Sequence, residues 1–220
     1  LTVAAAFADK SHQEAPAAPT WHSSTTESIT IKTVIGQKYI CKTSNATPAT
    51  TDSGWTEPVT SSTHTFSNLS AGTIYYIWTY LPGGEQTLDS DVSSALIAYT
   101  APQITTDSSL TAATVGQSYS VTLEATAAES NPVTWKLTEG STLPAGLTLD
   151  ENTGTIKGTP TAATDLNGTG FTIIATVGSG GNAASSERTF TLVVNQGTPD
   201  FGTLTVTNKG QASEDRKSVV

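Results

Sequence analysis

The sequence has little of what most enzymes and nucleic-acid-binding proteins depend on. Its 220 residues contain no methionine, one cysteine and three histidines, and only 13% of them are charged, against about 25% in an average soluble protein. A single cysteine excludes an intrachain disulfide. No apolar run approaches the roughly 20 residues that cross a bilayer, so we expect no membrane insertion. The net charge of −9 argues against nucleic acid as a partner, because phosphates are neutralised by Lys and Arg.

Threonine is abundant instead, at about one residue in five. Its β-branched side chain fits the pleated surface of a strand. Short alternating runs are separated by turn residues about every 8–12 positions, and no helical period occurs, which favours antiparallel sandwiches over βαβ folds. Because one sandwich takes about 100 residues, two would nearly fill the chain. The sequence therefore predicts an all-β protein of two tandem antiparallel β-sandwiches with Greek-key topology.

The chain divides into four predicted parts. Residues 1–18 lack periodicity and are predicted to be a flexible leader, and residues 19–100 form the first sandwich. Residues 101–196 form the second, which starts at a short linker stiffened by Pro102. Residues 197–220 are a polar tail or the start of a further, truncated module, with a lone strand at 203–207.

The leader contains the pattern Ala6-Phe7-Ala8 followed by Asp9. Small residues at these spacings are typical of the cleavage site of a secretory signal peptide. We therefore expect an exported protein, extracellular or on the cell surface. An Ala-rich leader without that role is the alternative.

The first unit carries the run Leu69-Ser70-Ala71-Gly72-Thr73-Ile74-Tyr75. This run resembles the L-x-x-x-T-x-Y stretch of fibronectin type III domains. The resemblance implies that the Tyr75 hydroxyl is hydrogen-bonded to the backbone upstream. With its Ser-Ile-Thr-Ile strand from Ser28, Trp55 and an F-x-x-L turn at Phe66, the unit is also similar to fibronectin-like repeats of Firmicutes surface proteins.

The second unit carries Leu143–Asp150 followed by Thr153–Pro160, in the pattern LPxGLxLD…TGxIxGTPT. This resembles the "Putative Ig", or dystroglycan-type cadherin-like, family over residues 101–196. The resemblance implies an immunoglobulin-like sandwich that serves as a non-catalytic part of bacterial surface or secreted proteins. By strand alternation, Leu147 and Leu149 share one face and can pack with Ile156 across the turn. Trp135 is predicted to lie in the core.

The residues that could perform chemistry are scattered. His12, His22 and His64 have no zinc-ligand spacing, and His64 is expected to face solvent from a strand. The run Gly178–Gly181 matches neither a nucleophile elbow nor a phosphate loop. We therefore predict no catalytic, cofactor or metal site and no cofactor. The cadherin-like resemblance raises calcium, but Asp150 and its neighbour are better explained as turn residues than as part of a ligand set of six to eight oxygens.

Aromatic residues supply the one candidate binding surface. If Tyr75 faces the core, then Tyr76, Trp78 and Tyr80 share the opposite face of the same strand. Three exposed aromatic rings could stack on sugars or bind a protein. The alternative is that they pack against a neighbouring strand, a long loop or the second unit.

Two functions remain open at the level of the sequence. The first is a non-catalytic extracellular module pair of a bacterial protein, acting as a spacer or adhesive scaffold. The second is a carbohydrate-binding accessory module of a polysaccharide-degrading enzyme that uses Tyr76, Trp78 and Tyr80. A polysaccharide or a host or cell-surface protein is the expected partner, and the chain is expected to be a monomer.

Overall fold

The computed structural model of the protein describes residues 10–128 and 131–197. The candidate cleavage pattern at Ala6–Ala8 and the strand expected at 203–207 lie outside this range. Within it, regular structure is almost entirely β, with one short 3-10 turn at Gly180–Asn182. No helix in the described part of the chain is long and apolar enough to span a membrane. The all-β prediction is confirmed.

Residues 20–99 contain six strands in two antiparallel sheets. The sheet orders are β1-β2-β4 and β3-β5-β6, so the chain crosses between sheets after β2, after β3 and after β4. Side chains of both sheets meet in one core, which includes Ile29, Ile77 and Ala98. The strands are β1 (Thr20–Ser24), β2 (Ser28–Lys32), β3 (Lys38–Lys42), β4 (Thr63–Ser67), β5 (Ile74–Tyr80) and β6 (Leu96–Tyr99).

Residues 103–195 form a second sandwich of ten strands. Two three-stranded antiparallel sheets, β9-β13-β12 and β11-β14-β15, enclose a core of its own, and two short pairs, β7-β10 and β8-β16, complete it. The strands are β7 (Gln103–Ile104), β8 (Ala113–Thr114), β9 (Tyr119–Thr122), β10 (Ala125–Thr126), β11 (Thr134–Leu137), β12 (Leu147–Asp150), β13 (Thr155–Gly158), β14 (Thr169–Val177), β15 (Ala184–Leu192) and β16 (Val194–Asn195).

The hairpin predicted from the second unit's sequence pattern is present. Leu149 pairs with Ile156 across β12 and β13, and both side chains contribute to the core together with Leu147 and the buried Trp135. Gly154, at the end of the turn, has a φ of +69°, a conformation that other residues rarely adopt. The predicted inward face of this hairpin and the core position of Trp135 are confirmed.

The described part of the leader contacts the first sandwich. The backbone N–H of Ser11 donates a hydrogen bond to the Gln86 carbonyl at 3.1 Å, and the Ser11 carbonyl accepts one from the Leu88 N–H at 3.0 Å. The Lys10 ammonium donates to the carbonyl oxygen of Gly84 at 2.8 Å. Residues 10–13 therefore lie along the loop between β5 and β6.

Candidate functional site

The three aromatic residues of β5 do share one face, but that face is not exposed. Trp78 is 1% exposed and Tyr80 is 5% exposed, while Tyr76 is half-buried. The rings of Tyr76 and Trp78 stack with centroids 6.1 Å apart. The prediction of an exposed aromatic face is wrong, and the packed alternative describes these side chains.

The cover comes from the long connection between β3 and β4. Trp55, in this loop, meets the Tyr80 ring edge-on with centroids 4.6 Å apart, and its indole N–H donates to the Ala49 carbonyl at 2.9 Å. The Lys42 ammonium binds the Asp52 carboxylate at 2.7 Å and anchors the loop to the end of β3. This hydrogen bond lowers the pKa of Asp52. The loop thereby turns the outer face of the sheet into a second, smaller packed layer.

The predicted contact of Tyr75 is present on the inner face of the same strand. The Ser70 backbone N–H donates to the Tyr75 hydroxyl oxygen at 2.9 Å. This bond holds the turn that leads into β5. The hydrogen bond implied by the resemblance is confirmed, while the fibronectin-like identity of the unit stays a prediction.

The cysteine and the histidines that could act as nucleophile, base or metal ligand are partly buried or contact other side chains of the fold. Burial raises the pKa of the Cys41 thiol to about 12, so the thiolate needed for nucleophilic attack is scarce. His64 was expected to face solvent. It lies instead opposite the core residue Ile31, edge-on to Phe66 at 4.7 Å, and desolvation lowers its pKa. His12 lies 3.3 Å from the exposed carboxylate of Asp91.

The acidic residue considered as a calcium ligand is held in a turn. The Asp150 carboxylate accepts hydrogen bonds from the backbone N–H groups of Asn152 and Thr153, at 3.1 and 3.2 Å. These two bonds lower its pKa. In the described ranges no three side chains of His, Cys, Asp or Glu are grouped so that they could hold a metal ion.

A contact that sequence reasoning missed joins the two units. The carbonyl of Gly72, in the turn before β5, accepts a hydrogen bond from the backbone N–H of Ala128 at 3.1 Å. On the other side of the junction, the Asn182 side chain donates to the Ile97 carbonyl at 2.8 Å. The ring of Tyr99 lies directly over Gly178, where an added Cβ would come within 2.6 Å of it. Each unit thus contributes backbone and side-chain groups to one interface.

The linker itself is part of this junction. Thr100 and Ala101 are buried. The Ala101 N–H donates to the Thr25 carbonyl, and its own carbonyl accepts from Gly72, at 2.9 and 3.0 Å. Ala101 also packs with Val177 and Ala184 of the second unit in a small apolar cluster. In the sequence, only the glycine before β5 and the Thr-Ala-Pro run hinted at this arrangement.

A family model described as "Putative Ig domain" matches residues 101–195. The expected resemblance of the second unit is therefore confirmed at the level of the family match. No curated protein matches the chain.

Several solved structures resemble the chain weakly. The extracellular domain of protocadherin gammaB4 has 15% identity and a TM-score of 0.36 over 86% of this chain, which spans 32% of that structure's length. Two tandem immunoglobulin domains of titin have 10% identity and a TM-score of 0.30, over 82% of this chain and 98% of theirs. Extracellular domains 3–5 of Drosophila OTK have 12% identity and a TM-score of 0.28, over 84% of this chain and 68% of theirs.

Proposed function

We propose that this chain is a non-catalytic, extracellular pair of immunoglobulin-like modules that acts as a stiff spacer and adhesive scaffold in a bacterial cell-surface or secreted protein. The observation that carries the proposal is the junction between the units. A spacer keeps its two ends at a fixed distance only if its domain junctions resist bending. Domains of one chain move relative to each other by default unless their interface is substantial. Here the linker is buried and both of its neighbouring units contact it.

The junction resists bending through contacts on more than one side of the linker. Gly72 meets the loop after β10, while Tyr99 and the Ile97 carbonyl meet the loop between β14 and β15. A rotation in either direction would break hydrogen bonds on one side. It would also expose the small apolar cluster around Ala101.

The remaining chemistry of the molecule agrees with a passive role. The Cys41 thiol is half-buried and its pKa is raised, and two of the three histidines have structural partners. Trp78 and Tyr80 are buried, and Trp55 packs on the Tyr80 ring, so these two rings present little surface for stacking on a sugar. The Ala6-Phe7-Ala8 pattern near the start of the sequence supports an exported protein.

The test is the distribution of distances between the two units in solution. Spin labels on Thr63→Cys in the first unit and Ser120→Cys in the second, in a Cys41→Ala background, report this distance by pulsed electron resonance. Both label positions are exposed. A stiff junction gives one narrow distribution, and a broad distribution in this chain would overturn the proposal.

A matched pair of glycines isolates the junction from general strain. Gly178 and Gly116 both have a φ of +77°, so alanine is equally strained at either position. A Cβ at Gly178 would collide with Tyr99, whereas one at Gly116 would meet nothing within 4 Å. Gly178→Ala should broaden the distance distribution and Gly116→Ala should not. Equal distributions in the two variants would show that the Tyr99 contact does not hold the units.

A further inference from the structure

One side of the second sandwich is open between two edge strands. β11 is an outer strand of one three-stranded sheet and β12 is an outer strand of the other. The space between them is a groove of about 410 Å³, and its lining includes Leu137, Leu143 and Leu149. These three leucines pack against the main core but stay only partly buried. The open side of the sandwich therefore presents apolar surface that its own strands do not cover.

The edge of β12 also carries free backbone groups. In an antiparallel ladder, successive residues direct their N–H and C=O groups alternately toward one neighbouring strand and away from it. The Thr159 N–H donates to the Gly146 carbonyl at 3.1 Å, and in that register Thr148 bonds to Lys157 of β13. The N–H and C=O of Leu149, one residue further, therefore point away from β13. In the described part of the chain no backbone group bonds to them.

The outer edge of β15 shows how this sandwich covers such an edge elsewhere. The Thr191 N–H donates to the Ser108 carbonyl at 2.7 Å, and the Thr191 carbonyl accepts a hydrogen bond from the Leu110 N–H at 3.0 Å. The Arg188 guanidinium donates to the Thr106 carbonyl at 2.6 Å. A segment of the chain thus lies along β15 and bonds to its outward groups. An exposed edge strand pairs readily with another strand, and the edge of β12 is free to do so.

The sequence after the described residues contains a segment with the matching pattern. The run Thr203-Leu204-Thr205-Val206-Thr207 alternates polar and apolar residues with a period of two. In an extended conformation Leu204 and Val206 share one face, and the threonines share the other. The apolar face supplies two aliphatic side chains to a groove that is lined by leucines. Its length also fits, since this run spans about 17 Å as a strand and β12 about 13 Å.

The segment can reach the groove from the end of the described chain. An added Cβ at Gly197 would come within 2.8 Å of the Val115 carbonyl. The N–H of the residue after Val115 donates to the Pro160 carbonyl, and the N–H of the residue after Pro160 donates to the Ala145 carbonyl, both at 3.0 Å. Three contacts of about 5 Å each thus lead from Gly197 to the start of β12. The chain from Gly197 to Thr203 reaches up to about 20 Å.

We propose that the segment Thr203–Thr207 adds to the edge of β12 as a further strand, with Leu204 and Val206 in the groove. Its backbone bonds to the free groups of Leu149, and its apolar side chains cover the half-buried leucines. The contact lies within one chain, so a short connection keeps the segment at a high effective concentration. This proposal goes beyond the spacer role, because it makes the stability of the second unit depend on the segment that follows it.

Hydrogen exchange at single amides tests this pairing in the full chain. The Leu149 N–H should exchange about tenfold or more slowly in the unaltered chain than in the double variant Leu204→Asp/Val206→Asp, because charges in the apolar groove displace the segment. The Thr148 amide bonds to β13 in both chains and is the internal reference. Thr205→Asp places a charge on the opposite face of the segment and should leave the Leu149 amide protected.

Three results of this experiment would overturn the proposal. The first is a Leu149 amide that exchanges without protection in the unaltered chain. The second is equal protection of that amide in the unaltered chain and in the double variant. The third is protection that the double variant loses at Ser120 and Thr122 instead, since the N–H groups of these residues point away from β13 at the other edge of the same sheet.

Disulfide trapping gives an independent measurement. Leu204→Cys is combined with Leu143→Cys in the groove, or with Ser120→Cys on β9 as the control, each in a Cys41→Ala background. On oxidation the first pair should form an intrachain disulfide about tenfold faster than the control pair, because docking raises the effective concentration of the two thiols. Equal rates for the two pairs would overturn the proposal. A rate that falls on dilution would also overturn it, since the segment would then bind a second copy.

Discussion

The two units bury their longest strands in different ways. In the second unit, β14 alternates along most of its length: Phe171, Ile173, Ala175 and Val177 are buried, and the residues between them are partly exposed. In the first unit, β5 is buried on both faces from Ile77 to its end. Alternation predicts which side chains face the core in both strands. Whether the other face meets water depends on what lies over it.

The tryptophans of the two units differ in the same way, since one lies in the main core between the sheets and the other lies on the outer face of a sheet. Trp135 lies between the sheets of the second sandwich, in its main core. Trp78 pairs with Ile40 on the outer face of the first sandwich and stacks on Tyr76, beside the loop that carries Trp55. A sandwich can thus enlarge a small core by folding a loop over one sheet.

The largest expected effect is the loss of the central tryptophan. Trp135→Ala should lower the free energy of unfolding of the second unit by about 3–5 kcal/mol, because removal of a buried aromatic side chain leaves a cavity. Calorimetry should show the second unit's transition shifted to lower temperature and that of the first unit nearly in place. A shift of both transitions by the same amount would show that the units unfold as one.

A smaller effect is expected at the glycine beneath that tryptophan. Gly154 has a φ of +69°, and a Cβ there would lie 2.7 Å from the indole nitrogen of Trp135. Gly140 has a similar φ of +79° with nothing within 4 Å. Gly154→Ala should therefore cost more than the roughly 1–2 kcal/mol of left-handed strain expected for Gly140→Ala alone. Urea unfolding of the two variants measures this difference, and equal losses would contradict the close packing.

The loop cover of the first unit should contribute less. A double-mutant cycle with Trp55→Ala and Tyr80→Ala is expected to give a coupling free energy of about 1 kcal/mol, the usual size for an edge-on aromatic pair. The chemical denaturation of the first unit gives the four free energies. Coupling near zero would show that the loop rests on the sheet without stabilising it.

The smallest effect concerns two carboxylates with lowered pKa values. Lys42 lowers the pKa of Asp52 in the first unit, whereas backbone N–H groups lower that of Asp150 in the second. Each carboxylate contributes to the free energy of unfolding above its pKa in the unfolded chain, near 4. The contribution is lost as the pH falls through the lower pKa of the folded protein. High salt should weaken the first more than the second, because Lys42 is the main cause of the shift at Asp52, whereas Lys157, 3.8 Å from Asp150, is the smallest of the causes there.

Unfolding by urea at pH 6 and pH 3, at low and high salt, measures both contributions. Asp52→Asn should make the first unit's stability less dependent on salt, and Asp150→Asn should change the second unit's salt dependence by a smaller amount. The reverse pattern would contradict the assigned causes of the pKa shifts.

Much of the fold follows from local sequence, and much of the candidate site does not. The pattern around Leu147 and Ile156 predicted a hairpin, its inward face and its glycine turn, because neighbouring residues alone determine these features. The burial of Tyr80 depends on its contact with Trp55, which lies in a loop more than twenty residues earlier in the chain. His64 was assigned to the wrong face because its position relative to Ile31 is set by strand pairing rather than by its own neighbours.

The sequence by itself determined the β class, the spacing of strands and the inward face of the Leu147–Ile156 hairpin, since strand alternation and turn chemistry are local properties of the chain. The hydrogen bond of Tyr75 followed from the resemblance of its run to fibronectin type III domains. Only the tertiary structure decided that Trp78 and Tyr80 on the outer face of β5 are buried and that the linker around Ala101 is buried. Those features depend on contacts between residues far apart in sequence, which no local pattern specifies.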